Sequence, residues 1–487
     1  MWIDDPYWAR AAKFILGLPP HIRYVLAPAE LNHLRDGCLP FAFGHLLHPQ
    51  NCVVVLPKDD VDQLPKAWIE NLPTWETLYA DEVFVAIQAG VLKTRSRDDD
   101  HHLPYMYDRC KKVINGIQVR THRIDEELSD EYPGSPYALI AAASLTGNAG
   151  DRLLAAAAVR FLKSVCPGLS IIVSDGSPDR TLLKGASFII IGPGGMIYDM
   201  ENATRLDLMN LANWFGIGYV SSEYQRDLYL LGIGHQTLAS PIGRMFLKNA
   251  IKYTRMATAR DEETASILSY FVEKPVEFLP DMSTLFSEDI LEISVSAEHN
   301  RIISICGDLR HAQGFTELAS WIRDSNGARL RYIIQANEDA ESLNLHRASI
   351  VKVLGSEFEE VDCRTLDPMV FCRAIATSAA LVTTRFHGMM VALMAGIDLL
   401  TFTISGDKRE RVRDQIGPLP WARFEPIVDD LRNAKKTIVP LIANGRRVPE
   451  RAVRFDRSAF MQAGKKLEDD LRSRHSLLRT GIHCQIA

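Results

Sequence analysis

Arg385, His387 and Lys408 are the residues whose types and spacing could do chemistry. The run from Leu381 to Gly396 opens as a short apolar stretch, breaks at Gly388 and continues with almost no polar residue. That pattern reads as a buried strand, a tight turn and a buried helix. Thr383, Arg385 and His387 share one parity, so a strand persisting that far points all three side chains the same way. A guanidinium and an imidazole then arrive together at the carboxyl end of a strand, beside a helix N-terminus. Ligands of open α/β sheets bind at that edge. Helix N-termini favour anions, and arginine grips carboxylate or phosphate through two parallel hydrogen bonds. Leu399 to Ile404 reads as the next parallel strand, and a right-handed connection brings Lys408, in the loop after it, to the same edge. Three cationic or titratable groups at one crevice suit a small, highly charged anion. The same residues also fit a plainer reading, in which Arg385 pairs with a carboxylate and His387 is a satisfied helix-cap residue.

The elements that must position such a site repeat along the chain. Tyr137 to Ala143 reads as a buried strand, Thr146 to Asp151 as a turn, and Arg152 to Val165 as an Ala-rich helix. A turn of this kind can hold backbone N–H groups against an anion, with Asn148 fixing it, Gly150 giving close approach and Asp151 at or just inside the helix start. It equally suits a purely structural βα turn, and its spacing is neither a dinucleotide fingerprint nor a P-loop. Phe188 to Ile191 runs into Gly192-Pro193-Gly194-Gly195, where Gly194 and Gly195 would let backbone approach a ligand. Strands at Tyr229–Gly234 and Met256–Ala259 follow, the second delivering Arg260 and Asp261 to the same edge; Pro280 and Asp281 end the next one.

Residues 137–285 are thus expected to form one doubly wound parallel sheet, with residues 287–300 as a linker. Alternation restarts at Arg301 and makes residues 296–445 a second such domain. Residues 451–487 are expected to hold a long charged helix and a tail. Two sheets with facing carboxyl edges give a GT-B-like arrangement with a site between domains. Residues 1–125, with strand-like runs at Tyr24, Cys52 and Val83 and an amphipathic start around Trp8 and Ile15, read as a small α/β domain of unassigned role. Docking of that first helix on a core is favoured over a membrane-surface foot. The Arg95–His102 stretch reads as a solvated polar loop rather than a metal cluster.

The bulk numbers exclude some classes. A chain of 487 residues is too long for one core. A net charge of −6 provides no global attraction to nucleic acid, so anion binding must be local. Eight cysteines lack metal-ligand spacing and suit free thiols in a reducing compartment. The absence of a leader-like start and of a run of about 18 apolar residues points to a cytoplasmic protein, peripheral to the inner face of the membrane at most.

Taken together, Gly147 to Asp151, Gly192 to Gly195, Ala259 to Asp261, Pro280-Asp281, Arg385 to Gly388 and Lys408 resemble the motif series of the polysaccharide pyruvyl transferase family. The series falls in order across about residues 137–415. The resemblance implies a two-domain GT-B-like transferase that uses phosphoenolpyruvate to place a pyruvate ketal on a sugar, often lipid-linked. It implies no metal and no cofactor beyond that donor substrate. It makes Arg385, His387, Lys408 and Arg260 the catalytic set, with Asn148, Gly150, Asp151, Gly194, Gly195 and Gly388 beside the donor. The expected partner is a sugar or lipid-linked saccharide, with homo-oligomer formation left open. The chain departs from the family at Phe386, where leucine is commoner, at the glycine stretch around Gly232, and over residues 1–125. Two other readings share the architecture: a nucleotide-sugar glycosyltransferase and a non-catalytic glycan-binding member.

Overall fold

Continuous runs of buried Ile, Val, Leu and Ala build two parallel sheets whose faces are both covered by helices, as such runs require. These elements come from a computed structural model that describes residues 5–474, apart from 46, 94–102, 108–109, 111–123, 132–135, 177, 179, 199–210, 212–213, 219–220, 223, 237, 239–240, 297–300, 326, 356–357, 366, 405–406 and 428. The polar stretch Arg95–His102 lies outside the described residues.

Across the first sheet, strands begin at Glu277, Met256, Asp227, Phe188, Tyr137 and Ser170, all parallel. Gly194–Ile197 adds a seventh beside the far end of Asp227–His235. The second sheet runs Phe358, Arg329, Ile302, Ala380, Asp398, Ala422 by first residue, again all parallel. Connections leave in opposite directions from Tyr137–Ala141 and Phe188–Ile191, and from Ile302–Cys306 and Ala380–Thr383. Such reversals open a crevice at the strands' carboxyl ends. The expected α/β class, two Rossmann-like domains in a GT-B-like arrangement, is the architecture observed.

Two helices join the domains. Asn148 caps Ala149–Val165, its Oδ1 accepting from the Gly150 N–H at 3.0 Å. Leu154, Ala158 and Leu162 of this helix pack on its own sheet, while Ala149 and Leu153 enter the second domain's core with Phe371, Phe386 and Met390. Small and apolar residues nearly all round suit a helix buried on several sides. The C-terminal helix, Ser458–Arg474, returns to the first domain. Phe460 meets Phe161 there with ring centroids 6.4 Å apart, and Asp470 accepts from the Tyr229 hydroxyl at 2.6 Å. It begins at Ser458 rather than at the expected Arg451, which ends a 3₁₀ turn of its own at Pro449–Arg451.

A second expectation fails at residues 287–300. Ser287–Ser296 is an α-helix, with Ile290 packed among Phe371 and Met394 and the Ser294 hydroxyl donating to the Ala395 carbonyl at 2.9 Å. The Ser and acidic content suggested a linker, but Ile290 and Ile293 give the segment one apolar face.

The N-terminal unit is a five-stranded mixed sheet in the order Cys38, Tyr24, Cys52, Phe84, Trp75, the last two strands antiparallel to their neighbours. Asp5 caps the helix Pro6–Gly17, whose Ala11 and Ile15 pack beneath Val25, Val53 and Phe84. That face is docked on a core. No helix among the described residues is long and apolar enough to cross a membrane.

Candidate active site

Thr383 ends its strand earlier than the parity argument requires. Its hydroxyl accepts from the Arg385 N–H at 2.9 Å and donates to the Cys306 carbonyl at 2.6 Å, and the helix starts at Phe386 with Arg385 as its N-cap. Arg385 and His387 therefore diverge. Arg385 turns to the second domain's own acids, donating from Nε to Asp339 at 2.8 Å and from Nη2 to Glu338 at 2.9 Å. Burial opposes its charge, yet Asp339 above all raises its pKa beyond the usual arginine range. The plainer reading of Arg385, a carboxylate pair, describes these contacts. Gly388 lies inside the helix rather than at a break, where an added Cβ would stand 3.0 Å from the Thr383 hydroxyl, so it packs the helix on its sheet.

His387 turns the other way, across the domain interface. A Cβ on Gly150 would lie 2.2 Å from His387 Nδ1 and 2.7 Å from Gln335 Nε2, so only glycine admits this approach. Gln335 also donates to Asn148 Oδ1 at 3.0 Å, and its carbonyl accepts the Ala149 N–H at 2.9 Å. Asn148 and Gly150 thus form a contact between domains, and the helix N-terminus beside them is covered by Gln335.

Arg260 occupies the opposite wall. Cβ atoms on Gly234 and Gly195 would fall 2.1 Å from Arg260 Nε and 2.9 Å from Nη2, so both glycines make room for the guanidinium. Gly194 has no such neighbour, its added Cβ meeting only Leu154 and Met196 side chains at 3.9 Å. Arg260 Cζ and Lys408 Nζ both lie over the Phe386 ring, 5.2 and 5.1 Å from its centroid. One aromatic ring therefore gathers two cations from different domains. A residue at this position with a smaller, aliphatic side chain would offer no such face.

Asp281 completes the group. Its Oδ1 accepts from the Ser283 N–H and hydroxyl, leaving Oδ2 at 3.8 Å from Arg260 Nη1 and 3.9 Å from His387 Nε2. Arg260 Nε and Nη2, Asp281 Oδ2 and His387 Nε2 are buried polar atoms with no hydrogen-bond partner among the described residues. Buried groups of this kind are normally satisfied, and their concentration at one point marks a place built for a polar ligand. A cleft of about 350 Å³ opens beside this group, lined by Arg260, Asp281, Lys408 and Arg411 around Phe386; His387 and Asp151 stand behind that lining. His387 is only 4% exposed.

Proton affinities follow from this crowding. Burial lowers the His387 imidazole to about 4; Asp281 opposes the shift, and Lys408 and Arg260 add to it. Burial, reinforced by Arg260, lowers Lys408 to about 8. Burial raises Asp151 to about 6, against the pull of Lys408 and Arg260. Burial thus leaves His387 well below the ordinary imidazole range. Asp151, at the first helical turn with Thr146 Oγ1 at 3.4 Å, is the carboxyl nearer that range.

Arg260, His387 and Lys408 are thus brought together from three elements, with Asp151 inside their field, while Arg385 points one step away. Sequence reasoning gave no role to Asp281 or Arg411. Asp281 stood in a quoted motif, and Arg411 follows Lys408 at helical spacing.

Two facing Rossmann-like domains with a cation-lined cleft between them define a GT-B-like protein. The polysaccharide pyruvyl transferase family model matches residues 148–405, more than half of the chain, and the chain belongs to that family. Comparison with curated proteins finds no match. Among solved structures, the chain is similar to UDP-GlcNAc 2-epimerase from Neisseria meningitidis bound to UDP-GlcNAc, at 11% identity over 70% of this chain and 100% of that one, TM-score 0.43. It is also similar to the S. aureus MnaA–UDP co-structure, at 13% identity over 69% and 97%, TM-score 0.44. The Methanocaldococcus jannaschii UDP-GlcNAc 2-epimerase gives 9% identity over 70% and 100%, TM-score 0.44.

Proposed function

We propose that the chain transfers pyruvate from phosphoenolpyruvate to two hydroxyls of one sugar, releasing phosphate. The observation that carries this reading is the cluster of unsatisfied buried atoms on Arg260 and His387 beside Lys408, within the family-matched region. A forked guanidinium suits the donor's carboxylate and phosphate alike, and the Lys408 ammonium offsets charge as phosphate departs.

Protonation of C3 leaves C2 electrophilic, and a sugar hydroxyl forms the first C–O bond there. The C2–O bond to phosphate then breaks and the second hydroxyl closes the ketal. The two hydroxyl protons are accounted for on the new methyl group and on phosphate. In this reading His387, behind the Asp281 and Arg260 wall of the cleft, donates that proton once the donor is bound. Its low proton affinity arises from burial and the two cations, and a bound trianion offsets both cations, so donor binding draws a proton onto the imidazole. Neutral in the structure, His387 becomes the acid only in the complex.

The acceptor is a saccharide hydroxyl pair, consistent with the family's name, and Asp281, which lines the cleft, is the carboxylate that would orient it. The test is a screen of glycans and lipid-linked sugars for phosphate release from phosphoenolpyruvate. Release with an acceptor, lost on the order of 10²-fold or more in His387→Ala, supports the reading. Wild-type turnover by that variant removes His387 from the mechanism. Release of a nucleoside diphosphate from a nucleotide sugar instead would replace the reaction itself.

A further inference from the structure

Arg411 lies one helical turn beyond Lys408 on the second domain's helix Lys408–Ile416. Three of its partners belong to the first domain. Nη1 donates to Asp261 Oδ1 at 3.2 Å and lies 3.4 Å from His235 Nδ1, while Nε stands 3.0 Å from Glu263 Oε2. These partners are themselves tied down. The Thr264 hydroxyl and N–H both donate to Asp261 Oδ1, at 2.9 and 2.8 Å, and the same hydroxyl is 3.0 Å from His235 Nδ1. His235 Nε2 is 3.3 Å from Glu263 Oε1. His235, Asp261 and Glu263 have a spacing that could hold a metal ion. Here the guanidinium of the other domain supplies the cation.

Each end of this contact is next to a cleft cation. Asp261 follows Arg260 directly, and Lys408 precedes Arg411 by three residues on one helix. Fixing Arg411 to Asp261 therefore fixes the separation of Arg260 and Lys408, which come from different domains and both lie over Phe386. Without it, the polar ties between domains described above are Gln335 to the Asn148 turn, at the end of the cleft formed by other strands, and the long approach of Asp281 to His387. We infer that Arg411 is a positioning residue: it latches the two domains through His235, Asp261 and Glu263 and so sets the spacing of the cations that grip the anionic donor.

The donor part of this inference rests on the proposed function; the latch itself does not. Three full-length variants test it: Arg411→Ala, Arg411→Lys and Glu263→Gln, the last at a half-exposed residue where folding is not in question. Small-angle scattering reads the closure, and calorimetry with phosphoenolpyruvate as the probe reads the grip. Arg411→Ala is expected to increase the radius of gyration and to weaken binding about five- to 150-fold, the range typical of coupled sites. Glu263→Gln should shift both in the same direction by less. Arg411→Lys, which keeps the charge but loses the fork, should recover part of the affinity. Unchanged scattering and unchanged affinity in both Arg411→Ala and Glu263→Gln would overturn the latch. Expanded variants of a wild type that binds no phosphoenolpyruvate would uphold the latch and sink the donor assignment instead.

Discussion

Gly234→Ala moves the guanidinium of Arg260 without altering a single charge. The new methyl would stand 2.1 Å from Nε, 2.4 Å from Cζ and 2.5 Å from Nη2, where ordinary contact begins near 3.4 Å. The guanidinium must retreat by about 1 Å, and a displacement of that size at a reacting centre is enough to cost on the order of 10² in rate. It has little room to adjust, because its other sides meet Phe386, Gly195 and Asp281 and the residue is 5% exposed. Loss of one charge-assisted hydrogen bond to the donor is worth about 1.5–3 kcal/mol, or roughly 10- to 150-fold in affinity. Part of the packing cost is offset by the backbone. Gly234 sits in a strand outside the left-handed region, where alanine is favoured over glycine by about 0.5–1 kcal/mol. The expected result is a folded variant, less stable by the overpacking cost of about 1–3 kcal/mol, whose titration with phosphoenolpyruvate shows the weakened affinity. Wild-type affinity in that variant would refute the placement of the donor against Arg260.

Three further outcomes follow from the same geometry. Lys408 must be charged to hold an anion and titrates at about 8 in the free protein, so donor affinity should fall as pH rises above 8; a Lys408→Arg variant should lose that fall, and a flat wild-type profile from pH 7 to 9.5 would contradict it. Gly150→Ala adds a methyl 2.2 Å from His387 Nδ1 at the domain interface, so it should keep its helical circular dichroism yet expand in scattering and bind donor at least about fivefold more weakly, the overpacking cost being about 1–3 kcal/mol. Asp151 is held at about 6, above the ordinary value near 3.9, so the folded state binds its proton more tightly than the unfolded one. Its contribution to stability is present below about pH 4 and lost as pH rises through 6. Asp151→Asn should therefore gain stability over wild type at pH 7.5, by on the order of 1–3 kcal/mol, with the gain vanishing near pH 4. Equal denaturation midpoints at pH 7.5 would contradict this.

The sheets were legible because buried parallel strands are written as continuous apolar runs such as Phe188–Ile191 and Ile302–Cys306, each ending where the sequence suggested. The start of the helix at Phe386 was not. Arg385, Phe386 and His387 are as compatible with a strand as with a first helical turn, and the Thr383 hydroxyl that ends the strand acts through hydrogen bonds no periodicity records. Misplacing that boundary by a few residues put Arg385 and His387 on one side instead of two. The Glu338 and Asp339 partners of Arg385 were missed for a related reason: both acids lie in the first turn of a helix that begins at Asn337, a boundary no periodicity marks. The meeting of His387 with Gly150, and of Arg260 with Lys408 over Phe386, depends on how two separately folded sheets face each other. Local pattern fixes each sheet's carboxyl edge but says nothing of the angle between them. Arg411 illustrates the gap: in sequence it is one of several charges on an exposed-looking helix, and its partners lie about 150 residues earlier.

The most direct test of the central claim is a calorimetric titration of the full chain with phosphoenolpyruvate, repeated with Arg260→Ala. Saturable binding at one site by the wild type, abolished in the variant, is the expected result. Binding of a nucleoside diphosphate without binding of phosphoenolpyruvate, or equal binding of phosphoenolpyruvate by both proteins, would contradict the account.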